Sequence, residues 1–146
     1  MKWKGSIKMT VKFKVLGEPK GKQRPRFYSN RGRNVVYTPK QTTEYEQKIR
    51  VSYKRLLSEK IPKGTPLEIN ITALFSIPKK FNKEQRQNAL NGKIMPTKKP
   101  DGDNVIKIVL DALNDTAYVD DSQVCGINFV KKYGEIPQII IEIKEI

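Results

Sequence analysis

KKPDGDNVIKIVLDALNDTAYVDDSQV, residues 98 to 124, is the stretch from which the rest of the chain is best read. All six aspartates lie in it, at positions 101, 103, 111, 115, 120 and 121, and every acid elsewhere is a glutamate. Between Asp101 and Asp121 only Lys107 is basic, in a chain with 29 Lys and Arg against 15 Asp and Glu. The local charge therefore inverts, and short carboxylates gathered inside a basic protein suit a hard cation held beside a polyanion. Pro100 disfavours helix before Asp101. From Asp103 to Asn114 the pattern predicts an amphipathic helix, with Val105, Ile106, Val109, Leu110 and Leu113 on one side and Asp103, Lys107, Asp111 and Asn114 on the other.

Asp101 or Asp103 suits the N-cap of that helix. One cap uses one aspartate, so the second carboxylate and the Asp120-Asp121 pair need another reason. If the chain turns after Asn114 and returns along the helix's N-terminal end, Asp120 or Asp121 meets Asp101 and Asp103 in one cluster. Two carboxylates about 4 Å apart repel by roughly 4 kcal/mol at an effective dielectric near 20, so such a cluster is sensible only around a cation. Oxygen-only ligation points to Mg²⁺, with Mn²⁺ as a substitute. Lys107, one turn from Asp103, is placed to pair with it or to meet the extra charge of a phosphoryl transition state. A calcium loop of the EF-hand type is excluded: Val105 and Ile106 stand where a ligand and the obligatory glycine belong, and Ala112 where the bidentate acid belongs.

Outward from this stretch, the totals agree with an anionic partner. At 146 residues and a net charge of +14, the chain has the length of one domain and the field of a nucleic-acid binder. It contains no histidine, which removes nucleases with a His base and His-ligated zinc sites; the lone Cys125 supports neither a disulfide nor a thiolate site, and is expected to be a small buried apolar residue. No apolar run reaches membrane-spanning length and the N-terminus has no signal-peptide pattern, so a cytoplasmic protein without membrane partners is expected.

On the N-terminal side, Ile7, Met9, Val11, Phe13 and Val15 alternate with Lys8, Thr10, Lys12 and Lys14, which predicts a half-buried strand over 7 to 15 with a positive outer face. Residues 17 to 40, GEPKGKQRPRFYSNRGRNVVYTPK, carry seven basic residues and one acid, Glu18. Lys20, Lys22, Arg24, Arg26, Arg31 and Arg33 are the candidate phosphate contacts, with Phe27, Tyr28 and Tyr37 as stacking faces among them. The plainer alternative is a solvated basic loop or a hairpin turning at Asn30 to Gly32. Thr38 as N-cap and Pro39 at the first position open a scaffold helix with Tyr45, Ile49, Ser52, Tyr53, Leu56 and Leu57 on one stripe.

Leu67 to Ile77 alternates as a second strand. Asn82 and Gln85 form a capping box for a short helix ending near Gly92, in a polar segment from 79 to 99 that reads equally as a mobile arm, a DNA-contacting helix or a surface helix. Val124 to Lys132 and Gln138 to Lys144 read as two strands in an antiparallel hairpin. The order of elements predicts an α+β domain, a mixed sheet with helices packed on it.

KPDGDNVIKIVLDALND followed by AYVDDSQV resembles the signature of the RusA family of Holliday junction resolvases. GEPKGKQRPR and Tyr37-Thr38-Pro39 are similar to that family's N-terminal portion. The resemblance implies one such domain over 1–146, and a Mg²⁺-dependent homodimer that binds four-way DNA junctions and makes paired symmetric nicks in strands of like polarity, in recombination and repair. It further implies Asp101, Asp103 and Asp121 as metal ligands and Lys107 as the essential lysine, with Asn104, Asp120, Asp111 and Gln123 matching in lesser roles. Two other readings stand beside it. One is a PD-(D/E)xK nuclease using Asp101, Glu142 and Lys144, and the other is a non-catalytic nucleic-acid-binding module whose aspartates are caps and turn residues.

Overall fold

In the computed structural model, residues 8–146 are described. The elements run β1 (Thr10–Leu16), β2 (Arg26–Asn30), β3 (Arg33–Tyr37), α1 (Lys40–Leu56), β4 (Leu67–Ser76), α2 (Lys83–Leu90), α3 (Gly102–Leu113), a single 3-10 turn (Asp121–Gln123), β5 (Val124–Gly134) and β6 (Gln138–Glu145). The architecture is α+β, as the element order predicts. One mixed sheet has the order β1-β6-β4-β5, and β2 with β3 forms a separate ribbon. Ile7, the first residue of the predicted N-terminal strand, lies outside the described residues; β1 itself keeps Val11, Phe13 and Val15 inward and Lys12 and Lys14 outward.

Period-two alternation makes one face of the sheet the core. Leu67, Ile69 and Ile71 of β4 and Ile139, Ile141 and Ile143 of β6 are buried against Ile49, Tyr53 and Leu57 of the α1 segment and Val105, Ile108, Val109, Ala112 and Leu113 of α3. Phe13 meets Tyr53 edge-on at 6.1 Å between ring centroids. At roughly 1.5–3 kcal/mol for each large apolar side chain fully buried, this layer is the main source of stability. On α3 the buried stripe runs through Ile108 and Ala112, while Ile106 and Leu110 are only partly covered. The helix is thus rotated from the predicted face, since it packs against both α1 and the sheet. Leu56 is likewise exposed at the end of the α1 stripe, and Leu57 takes the inward place.

Three local expectations change. β5 and β6 are not a hairpin: β5 pairs in parallel with one side of β4, and β6 pairs antiparallel with the other. β4 leaves the sheet at Ser76, so residues 135–137 can cross its end and span two strand spacings, about 10 Å. The strand with three buried isoleucines takes the interior place, and the one carrying Asn128, Lys131 and Lys132 takes the edge. Cys125 is exposed rather than buried. The register slips between Leu67 and Glu68, whose partners are Val124 and Gly126, so Cys125 is the extra residue of a bulge and has no cross-strand partner. Finally, Pro39 rather than Thr38 is the N-cap of α1, and its carbonyl accepts from the Thr42 and Thr43 amides.

Two expectations hold in detail. The 17–40 segment contains the hairpin, turning at Arg31 and Gly32, both in the left-handed region with φ of 51° and 77°. The Asn82–Gln85 capping box is formed in both directions at 2.8 and 2.9 Å. With Phe81 against Tyr133 and Ala89 buried, the helix it opens is a surface helix docked beside β5. Among the described residues no helix is long and apolar enough to cross a membrane.

Candidate active site

The N-terminus of α3 meets the basic loop at a cavity of about 760 Å³, lined by Pro19 through Arg26, Gln41, Thr42, Lys99, Pro100, Asp101, Asp103 and Asn104. Backbone bonds hold the loop there: the Lys22 amide donates to the Asn104 carbonyl at 2.8 Å, and the Gln23 amide to Thr42 Oγ1 at 3.4 Å. A Cβ on Gly21 would stand 2.8 Å from Pro100 Cβ and 3.0 Å from Asn104 Cβ, so only a glycine lets the loop lie this close to α3. Underneath, Gly102 lies against the Phe129 ring, with room for a Cβ only at 3.0 Å from Cε1. Lys131 reaches across Phe75, 5.2 Å from its centroid, and donates to the Pro100 carbonyl at 2.9 Å. The backbone that presents Asp101 and Asp103 is therefore fixed from three sides.

Both carboxylates are exposed. Asp101 occupies the N-cap position, yet its side chain makes no capping hydrogen bond. Neither aspartate takes part in an ion pair among the described residues. Two hard-oxygen groups two residues apart at the positive end of a helix, with no donor among the described residues engaging them, fit the ligand preference of a divalent cation such as Mg²⁺. Lys107 is exposed on the same helix and forms no ion pair among the described residues, so of its two expected roles the pairing with Asp103 is not formed.

Asp121 is elsewhere. Its Oδ1 accepts from the Tyr118 hydroxyl at 2.9 Å, and that hydroxyl also lies 3.1 Å from the Leu110 carbonyl. The Asp121 amide donates to Asn114 Oδ1 at 3.1 Å. Tyr118 is fully buried, and this anchors the 118–121 turn at the C-terminal end of α3 rather than at its N-terminal end. Asp103 and Asp111 are eight residues apart, about 12 Å along a helix axis, which measures how far the two ends are separated. Among the described residues no three carboxylates come together as a metal-holding group, so the single-chain cluster of Asp101, Asp103 and Asp121 is not formed.

The C-terminal group is a network of its own. Burial, then repulsion from Asp111 and Asp120, holds the Asp121 carboxyl above the usual carboxylate range, against a lowering by the Tyr118 hydrogen bond. Burial is also the main cause that pushes the Tyr118 hydroxyl up. Asp120 is held below its ordinary value by its hydrogen bonds with Ser122, as the cap of the 3-10 turn. Gln123, buried, accepts from the Val119 and Asp120 amides and donates to the Pro62 and Thr65 carbonyls. Its part in the sequence signature is thus structural. Asp115 pairs with Lys60.

Of the candidate phosphate contacts, Lys20, Arg24, Arg26, Arg31 and Arg33 are exposed. Lys22 is turned inward between Glu46 at 3.3 Å and Asp111 at 3.1 Å, so it ties the loop to α1 and α3 instead of presenting its charge to solvent as the other five do. Sequence reasoning missed this tie; the one signal for it was Glu46, the single charged residue on the buried face of α1, which something cationic must cover. Glu142 and Lys144 lie on the open face of the sheet, where Glu142 accepts from Asn70 at 2.8 Å and Lys144 approaches Glu68 at 3.9 Å. Asp101 is on the helix-covered side, so the alternative site of Asp101, Glu142 and Lys144 does not assemble.

Comparison with known proteins gives the chain a family. Residues 17–144 match the family described as Endodeoxyribonuclease RusA. The chain is 33% identical over 138 residues to an uncharacterized protein, YqaN, of Bacillus subtilis (strain 168), covering 93% of this chain and 96% of that protein.

Proposed function

The chain belongs to the RusA endodeoxyribonuclease family, and from that premise we propose that it is a Mg²⁺-dependent enzyme that resolves four-way DNA junctions as a homodimer, nicking two strands of like polarity symmetrically. Mn²⁺ should replace Mg²⁺. The observation that carries the reading is the pair Asp101 and Asp103, two aspartates without ion-pair partners among the described residues on a rigid helix start, in a cavity whose other wall is the basic loop.

In this reading Lys20, Arg24 and Arg26 bind the phosphodiester backbone and bring the scissile phosphate to the α3 N-terminus. Asp101 and Asp103 would hold the ion, with Asn104 beside them. When bound, the ion supplies charge neutralisation and water activation for an in-line displacement. Lys107 meets the negative charge that grows on the phosphoryl oxygens. Asp121 belongs to the same ligand set, with Asp120 next to it. Since Asp121 is fixed to the far end of α3 within its own chain, a homodimer is the arrangement that lets the two groups meet without breaking the Tyr118 contacts.

The test is a labelled four-way junction incubated with the protein across a Mg²⁺ and Mn²⁺ titration, beside a linear duplex of the same sequence. Paired nicks in the junction and an intact duplex are expected. Salt-sensitive binding with no cleavage at any metal concentration would favour the non-catalytic module instead.

A further inference from the structure

The β2–β3 ribbon is an arm, not part of the core. Its two strands pack chiefly on one another, and nine of its ten strand residues are exposed, Val35 being half-buried. Phe27 and Val36 face each other across it at 71% and 68% exposure. On the opposite face the Tyr28 and Tyr37 rings pair at 5.9 Å, with Arg26 and Arg33 in the same row. An isolated two-stranded ribbon is marginal in water, and the cross-strand Phe–Val pair adds at most about 1 kcal/mol to it while leaving both side chains largely exposed.

Charge selects the occupant of that apolar face. Between Glu18 and Glu44 the chain has seven Lys and Arg and no acid. A second copy of a chain of charge +14 is a poor partner for such an arm, and a polyanion is a good one. Phosphate contact accounts for the arginines but leaves the Phe–Val pair unexplained. A ring exposed among cations is what a nucleobase face recognises. Bases inside an intact duplex are already stacked, whereas those at a branch point open at lower cost. The ribbon is about 17 Å long at roughly 3.4 Å per residue, and a two-stranded ribbon fits the width of a major groove.

We propose that the Phe27–Val36 face of this ribbon stacks on bases opened at a DNA branch point, while Arg26 and Arg33 on its other face hold the backbone of the adjoining arm. The inference rests on the branched-DNA reading above and names the element that tells a branch from a duplex.

The test uses the full chain in metal-free buffer, with a four-way junction carrying 2-aminopurine beside the crossover and a linear duplex carrying the same base. Wild-type protein should raise the fluorescence on the junction and not on the duplex. Phe27→Ala should lose that rise and lower the junction-over-duplex affinity ratio about ten-fold, with duplex affinity unchanged. Val36→Ala should show a smaller loss of the same kind, and Phe27→Trp, which keeps a stacking face, should restore the signal.

Phe27→Ala protein that keeps both the fluorescence rise and the preference overturns the proposal. So does a Phe27→Ala variant that sediments as a monomer where the wild type is a dimer, because the arm would then be a contact between chains. Failure of the nuclease reading looks different: a protein that gives the fluorescence rise but never cuts the junction in Mg²⁺ keeps the arm and loses the enzyme.

Discussion

The two ends of α3 carry the same residue type in opposite conditions. At the N-terminal end, Asp101 and Asp103 are exposed and have no ion-pair partner among the described residues, beside a basic loop. At the C-terminal end, Asp111 is paired with Lys22, Asp121 accepts from Tyr118, and Asp120 caps a turn. Carboxylates that a fold needs for its own stability are engaged by that fold. Those left free on rigid backbone are available to something that is not protein. In the proposed reading the free end binds the ion and the engaged end holds the fold, with Asp121 asked to do both, and each assignment can be broken separately.

The largest effect is expected at the free end. Asp103→Asn keeps the shape of the helix start and removes one negative charge. Cleavage of a four-way junction in Mg²⁺ should fall by roughly three orders of magnitude, with junction affinity equal or tighter and the melting temperature unchanged. Asp111→Asn is its counterpart, and should lose stability while retaining most of the cleavage rate. If the two variants lose cleavage equally without any change in melting, the two ends do not differ in the way argued.

The next effect belongs to the engaged end. Lys22→Met leaves Glu46, with its side chain only 10% exposed, and Asp111 without their shared cation. An uncompensated buried charge costs about 3–5 kcal/mol, and partial solvation here lowers the expected loss to about 2 kcal/mol, read as the shift of a urea midpoint. Adding Glu46→Gln to the same chain should recover part of it. A Lys22→Met protein as stable as the wild type, but with weakened DNA affinity, would return this lysine to the set of phosphate contacts.

That lysine also marks where sequence reading stops. Periodicity was enough for β1, β4 and α1, because one face of each is buried and the pattern records it; α3 was legible as a helix, but its buried stripe turns toward Ile108 and Ala112 because it packs against both α1 and the sheet. The capping box of α2 was legible because Asn82 and Gln85 act within one turn. Charge singled out all six aspartates, and Asp101 and Asp103 stood out further because one helix cap uses only one of them. What local pattern cannot carry is the identity of a neighbour distant in sequence: that β6 lies between β4 and β5, that Cys125 falls on a bulge, that Lys22 turns to Glu46, and that Tyr118 holds Asp121 at the wrong end of α3 for a single-chain cluster. Each was settled by packing. Lysine in a basic loop reads as a phosphate contact until a buried carboxylate 24 residues away is known to face it.

The smallest effect tests whether Asp121 belongs wholly to the engaged end. Its carboxyl is held above the usual range, by burial first and by Asp111 and Asp120 next, so the ionised form is less comfortable in the folded chain than in the unfolded one. With the folded value raised, the folded state binds more protons, and stability falls as pH rises through the window from the unfolded value upward. At neutral pH the charge is therefore a net cost. Asp121→Asn, whose amide oxygen can still accept from Tyr118, should melt higher than the wild type in metal-free buffer at pH 7, by about 1 °C given the solvent screening of a half-exposed group. The difference should vanish in acid, below about pH 3, where the wild-type carboxyl is neutral too. Saturating Mg²⁺ should reverse the order, since binding stabilises the protein that holds the ion. A variant that melts lower than the wild type with and without Mg²⁺ would make Asp121 a structural residue and leave the ion to Asp101 and Asp103.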